Sequence, residues 1–258
     1  MWQCSHYILI VSFNEHLQIP MFLFLKHVGL ADVLLTTNIV PMMLHIILNE
    51  EMVITLDGCK CQLYIFGLSN VQCLLLAIMS YDRFLAICYP LHYISVMSLD
   101  VCLLCWLLAF VLVTGEMILV YRLDFCGFNQ IDHFFCDFGP LVSLSTSDIF
   151  VIITVSFIFI IGTYVCIFIT IFKMNSNTGR NKTFSTCSSH LTVVCTYYGT
   201  LSIVYMSPAE ENPSTANMKK FVSIFYVVIA PFMNPIIYSL KKKEIRETLR
   251  KYVKWYRK

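Results

Sequence analysis

Charge is what this chain has least of. Only 13% of its 258 residues are Asp, Glu, Lys or Arg, about half the usual share for a soluble domain. Mean hydropathy is +0.72, and a soluble fold of this size cannot hide that much apolar surface. The composition therefore excludes a water-soluble globule. It implies an integral membrane protein forming one bundle, not two globular domains. Other absences narrow the reading further. There is no internal repeat and no low-complexity segment, which removes the repeat signature of many transporters. No Cys/His spacing supports a zinc site. The Ser, His and Asp residues form no recognisable catalytic triad, so the chain reads as no enzyme and needs no cofactor. A basic tail is present, but no nucleic-acid-binding motif accompanies it.

What is there is apolar and long. Uncharged runs cover 61–81, 101–115 (extended past Glu116), 149–172, 183–209 and 221–240. Residues 21–48 form a further span, although they include Lys26 and Asp32. These give six helices of crossing length. Residues 1–14 are also uncharged but reach only about 21 Å at ~1.5 Å per residue, short of a ~30 Å hydrocarbon core. They lack the basic leader and small-residue cleavage site of a signal peptide and read as the cytoplasmic half of a first helix.

The loops sort by charge. Glu50, Glu51, Asp57, Asp124, Asp132, Asp137, Glu210 and Glu211 fall on one side, and Lys173, Arg180, Lys182 and the tail on the other. Nine of the 18 Lys and Arg lie in 241–258. Such a tail reads as cytoplasmic and as a candidate for contact with anionic lipid. The sequon Asn181-Lys182-Thr183 then lies inside and stays unmodified. Cys73, Cys102, Cys105, Cys166 and Cys195 sit in apolar runs and read as small buried hydrophobes. Cys59, Cys61, Cys126 and Cys136 fall in segments placed outside the cell, where disulfides persist.

Several longer strings follow. Residues 79–88 read MSYDRFLAIC, with Pro90-Leu91-His92-Tyr93 after them, so the pair Asp82-Arg83 stands where an uncharged run ends. Residues 179–191 read GRNKTFSTCSSHL, and residues 231–240 read PFMNPIIYSL. The first string resembles the third-helix switch of rhodopsin-like G-protein-coupled receptors. Together the strings look specifically like the olfactory (odorant) receptor family, and the resemblance runs from Pro20-Met21-Phe22 to the basic tail.

That resemblance implies an all-α membrane protein, a seven-transmembrane helix bundle whose first helix is incomplete, with a short amphipathic C-terminal helix. The expected segments are a partial helix one at 1–14, then 21–48, 59–82, 99–121, 148–173, 183–208 and 217–240, with 241–258 as the tail. It implies a plasma-membrane receptor of olfactory sensory neuron cilia that binds a small, mostly apolar odorant and activates a stimulatory, olfactory-type G protein. Membrane lipid is a further partner, and nucleic acid is not.

Residue roles carry over by motif. Asp82 would hold Arg83 as a latch. Tyr164, Arg180, Lys182, His190, Asn234, Pro235 and Tyr238 would belong to the switch and the G-protein face. Asp32 matches the second-helix acid that binds sodium in many receptors of this superfamily. Gln72, however, stands where odorant receptors often place a second acid. Cys59 would pair with Cys136, while Cys126 lacks its usual mate because Thr146 occupies that position. Tyr198, Leu201, Ser202 and Tyr205 are spaced by three and four and share a face, as do Phe66, Ser69, Asn70 and Cys73. These two faces would form opposite walls of a ligand pocket. From Cys59 to Arg83 the chain is one residue shorter than the family expectation, near Phe66-Gly67-Leu68. A local bulge absorbs the difference, or the upper face of helix three is turned by about 100°. Two alternatives remain: a folded but non-signalling truncated remnant, and a membrane transporter or channel.

Overall fold

A computed structural model describes residues 8, 12, 20–49, 53–90, 92–93, 99–121, 134–136, 146–173, 177–206, 218, 221–231 and 234. Among these residues the regular structure is helical throughout, with no strand. The main helices are α1 (Pro20–Asn49), α2 (Leu56–Ser69), α3 (Val71–Cys88), α4 (Leu99–Tyr121), α5 (Thr146–Lys173) and α6 (Asn177–Met206). A π-helical turn, Phe225–Ile229, lies in the seventh-helix segment. Four stretches are long and apolar enough to cross a membrane: Pro20–Asn49, Leu56–Cys88, Asp100–Ile118 and Ile153–Lys173.

Local chemistry sets the ends. Pro20 opens α1, where its missing N–H costs nothing and its fixed φ suits the first turn. Thr55 caps α2, its hydroxyl accepting from the Gly58 N–H at 3.1 Å. Asp57 stands in that first turn, where the helix dipole favours negative charge. Pro90 ends α3, because the residue before a proline is pushed away from helical geometry.

Along α1, Phe24, Val28, Ala31, Leu35, Ile39 and Met43 recur at intervals of three and four, and all are buried. α3 lies chiefly against α5, and α1 touches α2, α3, α4 and the π turn. Outward faces remain apolar: Leu103, Leu104, Leu107 and Phe110 of α4 are all exposed. Hydrocarbon is the solvent that fits such a surface.

Sequence limits and helix limits differ in two places. The third helix does not end at Asp82 but continues to Cys88. The sixth begins at Asn177, so Arg180 and Lys182 are helical rather than in a loop. The cause is the same in both: an uncharged run measures the part in hydrocarbon, whereas a helix continues into water as long as its backbone bonds are made. Cys166 and Cys195 are exposed, not buried. An apolar run cannot say which face looks at lipid.

The backbone tightens where α2 passes into α3. Asn70 separates α2 from α3, with its N–H donating to the Gly67 carbonyl and the Cys73 N–H donating to the Asn70 carbonyl, both at 3.0 Å. These are three-residue closures, the 3₁₀ pattern, which turns farther per residue than an α-helix.

Between helices in lipid there is little hydrophobic driving force, so close packing carries the association. α2 and α4 meet through Leu63, Val113, Met117 and Val120, with Lys60 over the Tyr121 ring at 4.1 Å. Gly67 makes the closest approach: a Cβ there would lie 2.9 Å from Val113 Cγ1 and 3.1 Å from Cγ2. Valine is stiff about χ1 and cannot easily retreat. Gly67→Ala is expected to destabilise the solubilised protein by roughly 1–3 kcal/mol, and Val113→Ala to recover most of that loss in the double variant. Thermal melts of the four proteins would check it.

Candidate functional site

Four polar clusters punctuate the apolar bundle. The first is outermost. Cys59 at the start of α2 is disulfide-bonded to Cys136, with Cα atoms 5.5 Å apart. Gln62, one turn on, accepts the Cys136 N–H at 2.9 Å. Its backbone carbonyl accepts from Asn38 Nδ2 at 2.9 Å, and its own amide donates to the Asn38 carbonyl at 3.2 Å. One buried glutamine thus ties α1, α2 and the outer loop together.

Below it lies a belt of rings and hydroxyls. Phe66 sits 5.6 Å from Phe135 and 6.5 Å from Tyr226, centroid to centroid. Tyr226 donates to Asn70 Oδ1 at 3.0 Å. Tyr197 Oη pairs with Cys73 Sγ at 3.0 Å. Tyr198 donates to Ser156 Oγ at 2.8 Å and stacks on Phe157 at 5.0 Å. Leu201 is buried and Ser202 half-buried. Ser69 is turned back onto its own helix, donating to the Phe66 carbonyl at 2.6 Å.

The third cluster lies at mid-depth. Asp32 on α1 is 1% exposed. Its Oδ1 accepts from Gln72 Nε2 at 2.5 Å and its Oδ2 from Asn234 Nδ2 at 3.0 Å. A buried charge is tolerable only when its oxygens are satisfied, and here two amides from two other helical segments do it. Among the described residues no group of three or more His, Cys, Asp or Glu could hold a metal ion.

The fourth cluster is at the inner end. Arg83 donates from Nε at 2.9 Å and from Nη2 at 2.5 Å to a single oxygen, Asp82 Oδ2. Asp82 is 1% exposed and its Oδ1 has no hydrogen-bond partner. Tyr93, in the turn after α3, stands beside that carboxylate. Burial first, and the Asp82 charge second, push its hydroxyl well above the ordinary tyrosine range. It therefore stays a neutral group across physiological pH. Tyr164 Oη pairs with His190 Nδ1 at 2.6 Å, with the rings stacked 5.8 Å apart.

Comparison with known proteins decides what this arrangement belongs to. A family model described as "Olfactory receptor" matches residues 4–254.

The chain belongs to the olfactory receptor family.

Olfactory receptor 5P53 of the mouse (Mus musculus) is 41% identical over 263 residues, covering 95% of this chain and 83% of that protein. Olfactory receptor 5P76, also of the mouse, is 42% identical over 262 residues, covering 95% and 82%. The human (Homo sapiens) olfactory receptor 11L1 is 39% identical over 265 residues, covering 96% and 81%. The chain is therefore a multi-pass membrane receptor with the seven-helix fold of that family, and not an enzyme.

Not every residue singled out from the sequence can be placed. Pro235, Tyr238, Cys126 and the basic tail lie outside the described residues, and of Lys182 and Tyr205 only the helical backbone is described. Arg180 is half-buried on the first turns of α6. Cys61 is exposed and free. Other residues in the receptor's clusters escaped the sequence reading. Tyr226, Ser156 and Gln62 belong to no charged or motif-bearing string that would have drawn attention, while Tyr93, which closes the string after residues 79–88, and Tyr197, the neighbour of Tyr198, were given no role. Trp106 donates to His27 Nδ1 at 3.1 Å, tying α4 to α1. Cys102 and Cys105, a Cys-x-x-Cys pair, are both buried and free.

Gln72→Leu is expected to cost about 1.5–3 kcal/mol, because it leaves one oxygen of a buried carboxylate without its donor. Asn38→Leu, on the same bundle but away from the carboxylate, is expected to cost less, about 1 kcal/mol. Chemical or thermal unfolding of the solubilised receptor would rank the two.

Proposed function

We propose that the receptor detects a small, largely apolar odorant and passes the signal to a stimulatory G protein of the olfactory type, raising cyclic AMP. The supporting geometry is the spacing of the clusters along the bundle. The ring-and-hydroxyl belt formed by Phe66, Asn70, Cys73, Tyr197, Tyr198, Leu201 and Ser202 lies between α3, α5, α6 and the seventh segment, away from the inner charge pair. A ligand there would favour one arrangement of helices over another, a shift in population and not a reaction.

The observation that carries the reading is the Asp82–Arg83 pair. Its carboxylate gives a single oxygen to the guanidinium, and the Tyr93 hydroxyl stands beside the same carboxylate. Such a contact can be exchanged cheaply when the inner end opens. In this reading Tyr164, His190 and Asn234 form the switch that Arg83 joins, and Pro235 and Tyr238 belong to it by motif. Arg180 and Lys182 form the G-protein face. At Asp32 both carboxylate oxygens are taken by amides, which favours a clamp there over a bound sodium ion. The C-terminus is cytoplasmic, the tail lies against anionic lipid, and the cell compartment is the cilium of an olfactory sensory neuron. The segments expected from the sequence form seven spans.

In a cyclic AMP reporter assay against an odorant panel, Arg83→Ala is expected to reduce the evoked signal to its basal level while surface staining of unpermeabilised cells persists. A response of wild-type size in that variant would remove the latch from the mechanism.

A further inference from the structure

The belt holds a hydrogen-bond donor, the side-chain amide of Asn70, that no described residue takes up. Asn70 is the single residue between α2 and α3, yet its side chain makes no capping hydrogen bond. Its Oδ1 accepts from Tyr226, and this fixes which way the amide faces. No hydrogen bond uses its Nδ2 hydrogens. Phe66 and Cys73, one turn on either side, are each 2% exposed, whereas Asn70 itself is only half-buried. Its remaining accessible surface thus lies on a face that otherwise points into the bundle.

The surroundings decide what could use that donor. Tyr226, which donates to Asn70, meets Phe66 edge-on, and Phe66 in turn packs on Phe135. The hydroxyls of Tyr226, Tyr197 and Tyr198 are already committed to Asn70, Cys73 and Ser156. The π-helical turn Phe225–Ile229 buries Tyr226 and Val227 together, and such turns often re-aim side chains at functional positions. Among the described residues the buried acids are Asp32, whose oxygens are filled by Gln72 and Asn234, Glu116, on α4 with interactions of its own, and Asp82, which lies towards the other end of α3 and holds Arg83. Lys60 is occupied by Tyr121 at the outer rim.

We propose that this receptor selects ligands carrying an uncharged hydrogen-bond acceptor, a ketone or ester carbonyl on an apolar chain, and that the Asn70 amide receives it. The inference rests on the odorant-receptor reading and narrows it to a chemical class. Among the described residues of the belt, a carboxylate would meet no cation and an ammonium would meet no carboxylate. Either would be desolvated without a counter-charge, which is costly. An alcohol could accept from Asn70 but would still need a home for its own proton. A donor left unpaired also penalises ligands with no acceptor at all.

The test uses the full chain in cells, with cyclic AMP and surface staining both recorded. The probes are straight-chain methyl ketones and methyl esters, set against alkylamines, alkanoic acids and alkanes of matched length. The expected result is that ketones and esters are about a hundredfold more potent than the amines and acids. Asn70→Leu is expected to weaken the ketones about tenfold while surface staining is kept. Asn70→Asp is expected to lose the ketones and gain the amines. If Asn70→Leu fails to reach the surface, Tyr226→Phe replaces it, with a smaller but measurable loss of ketone potency. Amines or acids as potent as ketones in the wild type would overturn the proposal and leave the receptor reading standing. Ketone potency unchanged in all three variants would do the same. Silence toward every probe, in wild-type protein seen at the surface, would count against the receptor reading itself and this proposal with it.

Discussion

A polar group inside a lipid-embedded bundle has no water to turn to. Its partner must come from another helix, and that requirement organises this molecule more than any apolar contact does. Lipid tails solvate leucine as well as a neighbouring helix does, so apolar burial cannot choose among arrangements. The polar clusters can. Asp32 is satisfied only when Gln72 and Asn234 arrive from two other segments. Gln62 is satisfied only when Asn38 and Cys136 are both in place. Each cluster records a relative position of three pieces of chain.

The clusters also differ in how completely they are satisfied. Those near the outer end are closed, with a covalent bond and a glutamine that uses its amide, its carbonyl and its side-chain oxygen. The inner ones are not. Asp82 keeps an idle oxygen, and His190 has a second nitrogen without a partner. Unmade hydrogen bonds in a buried site are strain of a few kcal/mol at most, but they are what makes an alternative arrangement affordable. Order at one end and residual freedom at the other is the asymmetry a transmembrane reporter needs.

Much of this was legible in the residues. The crossing segments followed from uncharged runs, and the family followed from the strings at 79–88, 179–191 and 231–240. Asp32 stood out because a carboxylate at membrane depth is expensive. Other features were not legible, for physical reasons. Helix ends ran past the predicted limits at Cys88 and Asn177 because hydrophobicity stops at the headgroups and helices do not. Cys166 and Cys195 were misjudged because lipid-facing and core-facing residues have the same composition. Tyr226 went unnoticed because a tyrosine in an apolar run reads as packing until a partner is seen across the bundle. The tightening at Asn70 could be expected as a need, from the shortened spacing, but not as a particular geometry.

Length has a mechanical consequence. α6 runs for 30 residues, about 45 Å at the usual rise, and so outreaches a ~30 Å hydrocarbon core. His190, held by Tyr164, lies thirteen residues from the inner start at Asn177, an arm of about 20 Å. A tilt of only ~5° about that point carries the Asn177 tip ~2 Å sideways. A small rearrangement of the rings around His190 is thus magnified at the far end of the rod.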